Sequence, residues 1–257
     1  MILYKYQGTG NDFVMLDNRD LQFPKNKELI KKLCNRHFGI GADGLILLEN
    51  DENTDFRMKY YNSDGNESSM CGNGGRCIVS FANFLGIFEE KTIFNAIDGL
   101  HEAKIKNGII KLKMRDVEKL YKDNQNFVLD TGSPHFVKYV EMLKNYNVYK
   151  SGNEIRNSET YKEKGINVNF VEVISDSEIF VRTYERGVED ETLSCGTGAV
   201  AAALTFMKRN NVDSVRIKVL GGDLKVYAEQ DGESFRNIWL EGSAEQVFEG
   251  KTNIINN

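Results

Sequence analysis

Two cysteines, one in each half of the chain, stand directly before a glycine-rich turn that opens an apolar run of helical length. The run after Cys71 begins Gly-Asn-Gly-Gly-Arg and stops at Gly86, a residue typical of a helix C-terminus. The run after Cys195 begins Gly-Thr-Gly and is apolar nearly all round until the cations Lys208 and Arg209. Because a helix that is apolar on every side is buried, each half is predicted to hold one core helix headed by a cysteine.

The position of each cysteine predicts its chemistry. A helix N-terminus presents unpaired backbone N–H groups and a partial positive charge, which stabilise an anion. A thiol at that end has its pKa lowered from about 8.5, so a thiolate becomes accessible near neutral pH, and the N–H groups can hold a carboxylate. Two such cysteines predict a site in which an anionic group of the substrate lies between two helix N-termini. The alternative is a pair of structural cysteines, because free cysteine is often a small core residue.

Short strand-like segments fill most of the remaining chain in both halves. Asn107-Gly108, between alternating segments, is a strong hairpin signal, and residues 27–38 show the pattern of an amphipathic helix. Each half thus combines many short strands with one apolar helix. This weak internal duplication predicts two similar β domains that face each other.

Composition and charge limit the class of protein. The 257 residues suffice for one large domain or two modest ones, and 40% hydrophobic with 28% charged residues is ordinary for a globular protein. The net charge of −5 disfavours nucleic acid or an anionic membrane as the main partner. No apolar run approaches the roughly 20 residues that span a bilayer, and the first residues lack the pattern of a signal peptide. These features predict a cytoplasmic protein.

Four cysteines and three histidines offer little for a disulfide framework or a zinc site. None of the cysteines forms a Cys-x-x-Cys pair, and the cytosol would keep them reduced. Cys34 lies on the apolar face of its predicted helix and Cys77 within the first core helix, so both are predicted to be core residues. The chain is therefore predicted to bind no metal.

Several short motifs follow one another along most of the chain, and together they resemble those of the diaminopimelate epimerases. That family belongs to the cofactor-independent amino-acid racemases and epimerases. Each motif alone is weak evidence, whereas their order and joint presence are specific. In this sequence they are Gly8-Thr9-Gly10-Asn11-Asp12-Phe13, Asn35-Arg36-His37-Phe38-Gly39-Ile40-Gly41-Ala42-Asp43-Gly44, Asn62-Ser63-Asp64-Gly65, Cys71-Gly72-Asn73-Gly74-Gly75-Arg76, Gly132-Ser133-Pro134-His135, Asn167-Val168-Asn169-Phe170, Thr183-Tyr184-Glu185-Arg186-Gly187, Glu191-Thr192, Cys195-Gly196-Thr197-Gly198 and Gly221-Gly222-Asp223-Leu224.

The resemblance implies an α+β fold of two pseudo-symmetric β-barrel-like domains, each wrapped around a central apolar helix, with the active site in the cleft. By analogy, residues 1–116 form the N-terminal epimerase domain, residues 117–246 form the C-terminal one, and residues 247–257 return to the first. The implied enzyme inverts one α-carbon of L,L-2,6-diaminopimelate to give the meso isomer, in the biosynthesis of lysine and peptidoglycan precursors. It uses no cofactor and acts on a small-molecule amino-acid substrate.

The resemblance also assigns the two cysteines and the helix ends. Cys71 and Cys195 correspond to the thiolate and thiol that exchange the α-proton on opposite faces of the carbon, with roles that swap with reaction direction. Which one is the base for which isomer stays open. The backbone N–H groups expected to hold the α-carboxylate are those of Gly72, Asn73, Gly196 and Thr197.

Six further residues match the family's substrate contacts. A guanidinium can clamp a distal carboxylate, and amides can bind the distal amino-acid group. The matching residues are His135 and Glu185 at the reacting amino group, and Asn11, Asn62, Asn167 and Arg186 at the far end of the substrate.

Some of these assignments have alternatives on residue type alone. His135 could be a structural histidine, and Arg186 could form a plain ion pair with the neighbouring glutamate. Two positions depart from the family pattern, because Ser133 stands where many relatives carry Asn and Gly44 where some carry Gln. Both changes are expected to remove substrate contacts.

Other functions remain as alternatives. The proline racemases and hydroxyproline epimerases use the same two-thiol chemistry, but typically carry His where this chain has Asn73, and they lack its Tyr-Glu-Arg-Gly stretch from Tyr184. The phenazine-type isomerases lack the cysteine pair. A non-catalytic binding module or a thiol redox protein is the alternative from another class. Substrate breadth and oligomeric state, including a homodimer, stay open.

Overall fold

The structure is a computed structural model that describes residues 1–253. The chain divides into two compact units, namely Met1–Leu112 with the described residues from Gly242 onward, and Lys113–Glu241. We retain residues 1–116, 117–246 and 247–257 as a proposal for the domain boundaries. Of the last segment, residues 254–257 lie outside the described part of the chain.

Strands are short and numerous, and helices are few. The helices are α1 (Lys27–Cys34), α2 (Gly72–Phe84), α3 (Val148–Arg156) and α4 (Gly196–Asn210), with a 3-10 turn at Leu143–Asn145. The strands are β1 (Ile2–Gly8), β2 (Asn11–Asp17), β3 (Gly44–Glu49), β4 (Phe56–Asn62), β5 (Glu67–Ser68), β6 (Lys91–Ala96), β7 (Gly99–Lys106), β8 (Ile109–Lys113), β9 (Tyr121–Asp123), β10 (Asn126–Asp130), β11 (Pro134–Tyr139), β12 (Asn167–Ser175), β13 (Glu178–Glu185), β14 (Asp190–Thr192), β15 (Ser214–Val219), β16 (Gly222–Asp231), β17 (Ser234–Ser243) and β18 (Glu245–Lys251).

The two units repeat one order of strand pairings. In the first unit, successive pairs are antiparallel (β1–β2), parallel (β2–β3), antiparallel (β3–β4), parallel (β4–β6) and antiparallel (β6–β7). In the second unit, β10–β11, β11–β12, β12–β13, β13–β15 and β15–β16 follow the same alternation. The first unit also pairs β1 antiparallel with β18. The internal duplication predicted from the cysteine motifs is therefore confirmed in the pairing of the strands.

Each unit surrounds one buried helix with strands. Helix α2 contacts β1, β2, β3, β4, β7 and β18, whereas α4 contacts β10, β11, β12, β13, β15 and β16. Small side chains let the strands approach α4 closely, and every residue of its Gly198–Met207 stretch is buried. This confirms the predicted α+β class with an apolar helix at the centre of each unit. Within residues 1–253, no helix combines the length and the apolarity that crossing a membrane requires.

The helix predicted over residues 27–38 ends earlier, at Cys34. Asn35 leaves the helical conformation (φ −67°, ψ 126°), and its side-chain oxygen accepts hydrogen bonds from the N–H groups of His37 and Phe38. Such an Asx turn competes with the helix for backbone donors. The prediction was wrong over the last turn because a local side-chain acceptor outweighs the periodic pattern.

Helix α3 has no counterpart in the sequence-based interpretation. It is short, and Gly152 interrupts its pattern, which lowers its helical propensity. The structure shows why glycine stands there, because a Cβ atom at Gly152 would lie 2.3 Å from the Cβ of Tyr184 on β13. Close packing against the sheet, rather than propensity, holds this helix.

Candidate active site

Cys71 occupies the N-cap position of α2. Its backbone is extended (φ −102°, ψ 153°), and its Sγ accepts a hydrogen bond from the N–H of Gly74 at 3.2 Å. On its other side, Sγ lies 4.0 Å from Oδ1 of Asn11. The sulfur thus has a donor that stabilises a thiolate and an acceptor that stabilises a thiol. This pair of contacts suits a group that alternates between the two forms.

Amide contacts orient Asn11 toward the sulfur. Its Nδ2 donates to Oδ2 of Asp43 at 2.6 Å, which leaves Oδ1 to face Nδ2 of Asn73 at 3.4 Å. Asp43 in turn is held by Arg36 at 2.7 Å. The predicted residues Asn11, Asn73 and Cys71 are therefore brought together, and Gly72 lies buried in the first turn of the same helix.

Asn62 lies at the end of β4, opposite Gly44 on β3. Its backbone closes a turn by accepting from the N–H of Gly65 at 2.9 Å. Among the hydrogen bonds of the described residues, none joins the Asn62 side chain to the Cys71 group. A Cβ atom at Gly44 would lie 2.5 Å from the carbonyl oxygen of Tyr61, so a side chain there would require the paired strand to shift.

Cys195 occupies the matching N-cap position of α4, again with an extended backbone (φ −116°, ψ 112°). It is 9% exposed, and its Sγ lies 3.5 Å from the hydroxyl of Thr197. The Thr131 hydroxyl donates to the Thr197 carbonyl oxygen at 2.9 Å and anchors this helix end to the loop after β10. With Gly196 between them, Cys195 and Thr197 place a sulfur and backbone N–H groups at the positive end of the helix, as predicted.

His135 lies on β11 and is completely buried. Its Nδ1 lies 3.1 Å from Nδ2 of Asn169, which also donates to the carbonyl oxygen of Phe136 at 3.0 Å. Asn169 Oδ1 accepts from the Thr183 hydroxyl at 3.0 Å, so the amide has one orientation and His135 Nδ1 must accept. Burial, and next the charge of Arg186, lower the pKa of His135 to about 3.

A neutral His135 therefore carries its proton on Nε2. Within the described residues, this buried Nε2 has no hydrogen-bond partner. A buried donor without an acceptor is costly, and such a group is typical of a site that a ligand completes. This observation favours a ligand-binding histidine over a merely structural one, whose hydrogen bonds would be satisfied within the fold.

The residues expected at the far end of the substrate form one group in the second unit. Asn167 Oδ1 accepts from the backbone N–H of Arg186 at 3.0 Å. The Ser133 hydroxyl oxygen accepts from Asn167 Nδ2 at 2.9 Å and from Arg186 Nη2 at 3.2 Å. Glu185 stands beside them at the end of β13. The Arg186 guanidinium is held by neutral oxygens, namely the Ser133 hydroxyl and the Lys164 carbonyl.

Two residues of these groups were missed by sequence reasoning. Asn169 orients His135, and its only signal was a polar residue inside an apolar strand. Ser133 is predicted from the sequence to remove a contact, whereas in the structure its hydroxyl joins Asn167 to Arg186. Neither contact can be found from spacing, because both partners lie on neighbouring strands or loops.

The other two cysteines lie in the core, as predicted. All four cysteines are free, and burial raises the pKa of Cys34 to about 12 and raises that of Cys77 as well. Within residues 1–253, no group of three or more His, Cys, Asp and Glu side chains is placed to hold a metal ion.

Comparison with known proteins identifies relatives over nearly the whole chain. The sequence profile of the diaminopimelate epimerase family matches residues 3–122 and 127–247. A diaminopimelate epimerase from Flavobacterium psychrophilum is 56% identical over 97% of this chain and 99% of that protein. Another, from Chlorobaculum tepidum, is 43% identical over 95% of this chain and 98% of that protein.

Solved structures share the fold at much lower identity. A phenazine biosynthesis protein of the PhzF family from Bacillus anthracis superposes with a TM-score of 0.76 at 14% identity, covering 98% of both chains. A hydroxyproline epimerase from Agrobacterium vitis gives a TM-score of 0.69 at 15% identity, covering 97% of this chain and 91% of that one. These likenesses concern the fold alone.

Proposed function

Because the chain belongs to the diaminopimelate epimerase family, we propose that it inverts one α-carbon of L,L-2,6-diaminopimelate to give the meso isomer. Two cysteine side chains act as base and acid. The observation that carries the proposal is that each unit presents a cysteine at the N-cap of its buried helix, beside glycine-rich backbone. This is the arrangement that a pair of proton-exchanging thiols requires.

The proton transfers follow from the chemistry of the α-carbon. One thiolate removes the α-proton, and the electron pair of the C–H bond remains on the carbon, delocalised into the α-carboxylate. The other thiol, on the opposite face, donates its proton to that carbon and becomes a thiolate. Cys71 and Cys195 take these two roles, and the roles exchange when the reaction runs backwards.

Stabilisation of the intermediate falls to the helix ends. The backbone N–H groups of Gly72, Asn73, Gly196 and Thr197 bind the α-carboxylate, where negative charge accumulates during the reaction. Fixed N–H dipoles outside bulk water stabilise such charge without reorganisation. This is how an enzyme without a cofactor can lower the barrier to removing a very weakly acidic proton.

The remaining groups divide between the two ends of the substrate. Glu185 accepts from the reacting ammonium group, whereas the Nε2–H of His135 suits a carboxylate oxygen or an uncharged amine, because an ammonium offers no lone pair. At the far end, Arg186 binds the distal carboxylate. The amides that bind the distal amino-acid group are those of Asn11, Asn62 and Asn167.

Exchange of the α-proton in D₂O tests the proposal. Purified protein should introduce deuterium at the α-carbon of L,L-diaminopimelate, and Cys71→Ala or Cys195→Ala should each slow epimerisation by about 10³-fold or more. Cys34→Ala, a buried cysteine outside the site, is the matched control and should retain exchange. Exchange into proline or hydroxyproline but not diaminopimelate would favour the reaction of a proline racemase or hydroxyproline epimerase. No exchange at all would favour a redox or binding protein.

Location and assembly are also proposals. Two reactive thiols must stay reduced, which the cytoplasm ensures, so the enzyme is proposed to act there. The homodimer stays a prediction, which light scattering on the purified protein tests.

A further inference from the structure

Arg76 lies in α2, five positions after Cys71, and its side chain is completely buried. No carboxylate of the described residues pairs with its guanidinium. A buried charge without a counter-charge is costly and rarely kept without a role. The surroundings of this side chain therefore indicate what its charge does.

The guanidinium donates to four neutral oxygens. Nη1 donates to the Gly72 carbonyl at 3.1 Å, and Nε donates to the Ser243 carbonyl at 3.2 Å. Nη2 donates to the hydroxyl of Thr9 at 3.0 Å and to Oδ1 of Asn73 at 3.2 Å. These bonds satisfy the donors and tie the loop after β1 to the first turn of α2, but they leave the positive charge uncancelled.

The first consequence concerns amide orientation. Because Arg76 occupies Oδ1 of Asn73, the Nδ2 of Asn73 must face outward, toward Oδ1 of Asn11 at 3.4 Å. That same Oδ1 lies 4.0 Å from Sγ of Cys71. The guanidinium thus orients, through two amides, the group that contacts the sulfur.

The second consequence concerns charge. Several charged groups on the neighbouring strands and loops are paired with one another, and none of these pairs includes Arg76. They are Asp12 with Lys5 and Arg36, Asp43 with Arg36, and Asp98 with His101.

Two thiols remain as ionisable neighbours of Arg76. Burial lowers the pKa of Arg76, and the adjacent Cys77 and Cys71 oppose that change. Burial raises the pKa of Cys77, so Cys77 stays neutral. Cys71 is the neighbour that can supply the missing negative charge.

We propose that Arg76 is a positioning residue that stabilises the thiolate of Cys71 by its buried charge, which the hydrogen bonds to Gly72, Thr9, Asn73 and Ser243 hold in place. The proposal rests on the proposed function in that Cys71 is one of the two proton-transfer groups. The second unit provides an internal comparison, because the position after Cys195 that matches Arg76 is Val200. The stabilisation should accordingly favour the thiolate of Cys71 over that of Cys195.

Alkylation by iodoacetamide, followed for each cysteine by peptide mass spectrometry across pH, tests this without substrate. The pH midpoint of alkylation reports the thiolate, and accessibility alters the rate but not the midpoint. In the unmodified protein, Cys71 should have a lower midpoint than Cys195. In Arg76→Gln, alkylation of Cys71 at pH 7 should fall about tenfold, equivalent to one pH unit in midpoint, with Cys195 unchanged. Arg76→Lys, which keeps the charge, should retain most of the Cys71 profile.

These measurements distinguish a failure of the proposal for Arg76 from a failure of the proposed function. Equal midpoints for Cys71 and Cys195 in the unmodified protein would overturn the proposal even if Arg76→Gln failed to fold. An unchanged Cys71 midpoint in a folded Arg76→Gln, checked by circular dichroism, would also overturn it. A shifted midpoint in a protein that exchanges no α-proton would leave the role of Arg76 standing and reject the proposed function instead.

Discussion

Single side chains decide the protonation states in the candidate site. Asn169 donates to His135 Nδ1 and is itself oriented by the Phe136 carbonyl and the Thr183 hydroxyl. The Phe136 carbonyl and the Thr183 hydroxyl thereby fix the orientation of the amide. The imidazole proton then lies on Nε2, where a ligand can accept it. A neutral amide in this place does what a carboxylate could not, because a carboxylate would attract the proton to Nδ1.

Asn169→Asp should therefore reverse the tautomer of His135. A carboxylate accepts from Nδ1–H and leaves Nε2 as an acceptor, so we expect kcat to fall by about 10²-fold or more. Nitrogen NMR of the three histidines checks the tautomer directly. Thr183→Val, which leaves the Nδ2 donor in place, is the control and should change kcat much less; an unaltered tautomer in Asn169→Asp would contradict the argument.

Ser133→Ala tests the contact that the sequence did not reveal. The hydroxyl accepts from both Asn167 and Arg186, so its removal frees two groups proposed to bind the far end of the substrate. We expect KM for diaminopimelate to rise about five- to tenfold, the cost of roughly one hydrogen bond to a charged group, with kcat little changed. A fall in kcat without a change in KM would place Ser133 at the reacting end instead.

At the scale of elements, a charge cluster joins β1, β2 and the loop that precedes β3. Asp12 accepts from Lys5 at 2.7 Å and from both terminal nitrogens of Arg36, and Lys5 also donates to the Gly41 carbonyl. Burial alone would raise the pKa of Asp12, but the bonds and charges of Arg36 and Lys5 outweigh it and hold that pKa well below its ordinary value. The cluster fixes the loop that carries Asp43. Asp43 in turn accepts a hydrogen bond from Asn11 and orients its side chain.

Asp12→Asn should destabilise the protein by about 2 kcal/mol at pH 7, because it leaves Lys5 largely buried without its counter-charge. A carboxyl whose folded pKa is depressed contributes stability above its ordinary pKa, and the contribution disappears as pH falls toward the folded value. The difference in the free energy of unfolding between Asp12→Asn and the unmodified protein should thus shrink below about pH 4. Urea unfolding at pH 7 and pH 3 would measure it. Asp17→Asn, which breaks a more exposed ion pair with Arg19, should lower the free energy of unfolding by less than about 1 kcal/mol.

At the scale of the whole molecule, duplication gives each unit one helix-capping cysteine and one group of residues proposed to bind substrate. The duplication is not exact in chemistry. The first unit supplies amides and a buried guanidinium around its thiol, whereas the second supplies His135, Glu185 and Arg186. This difference is what the proposed reaction would need, because it treats the two faces of one carbon alike but the two ends of the substrate differently.

The four thiols should accordingly separate into two classes. Cys71 and Cys195 should react with a disulfide reagent in the native protein, whereas the core residues Cys34 and Cys77 should react at least about 100-fold more slowly, since burial raises their pKa values. Counting thiols before and after unfolding measures this. Four fast thiols in the native state would mean that the core packing is wrong.

The cysteine-headed helices, their glycine-rich N-termini and the duplication were predictable because helix periodicity and capping are local properties of the sequence. Helix α3, the shortened α1 and the requirement for glycine at position 44 were not, since each depends on a neighbour from another strand or on a competing side-chain acceptor. The site divides in the same way. The residues proposed to meet the substrate could be named from motifs, whereas the contacts of Asn169, Ser133 and Arg76 could not be found from the sequence.

The sequence alone thus determined the two cysteine-headed helices and the duplication, because local hydrogen bonding and apolar periodicity act over a few residues. The tertiary structure decided the protonation of His135, the orientation of the site amides and the complete burial of the Arg76 guanidinium. Those properties depend on desolvation and on donors that arrive from distant parts of the chain, and no local pattern encodes them.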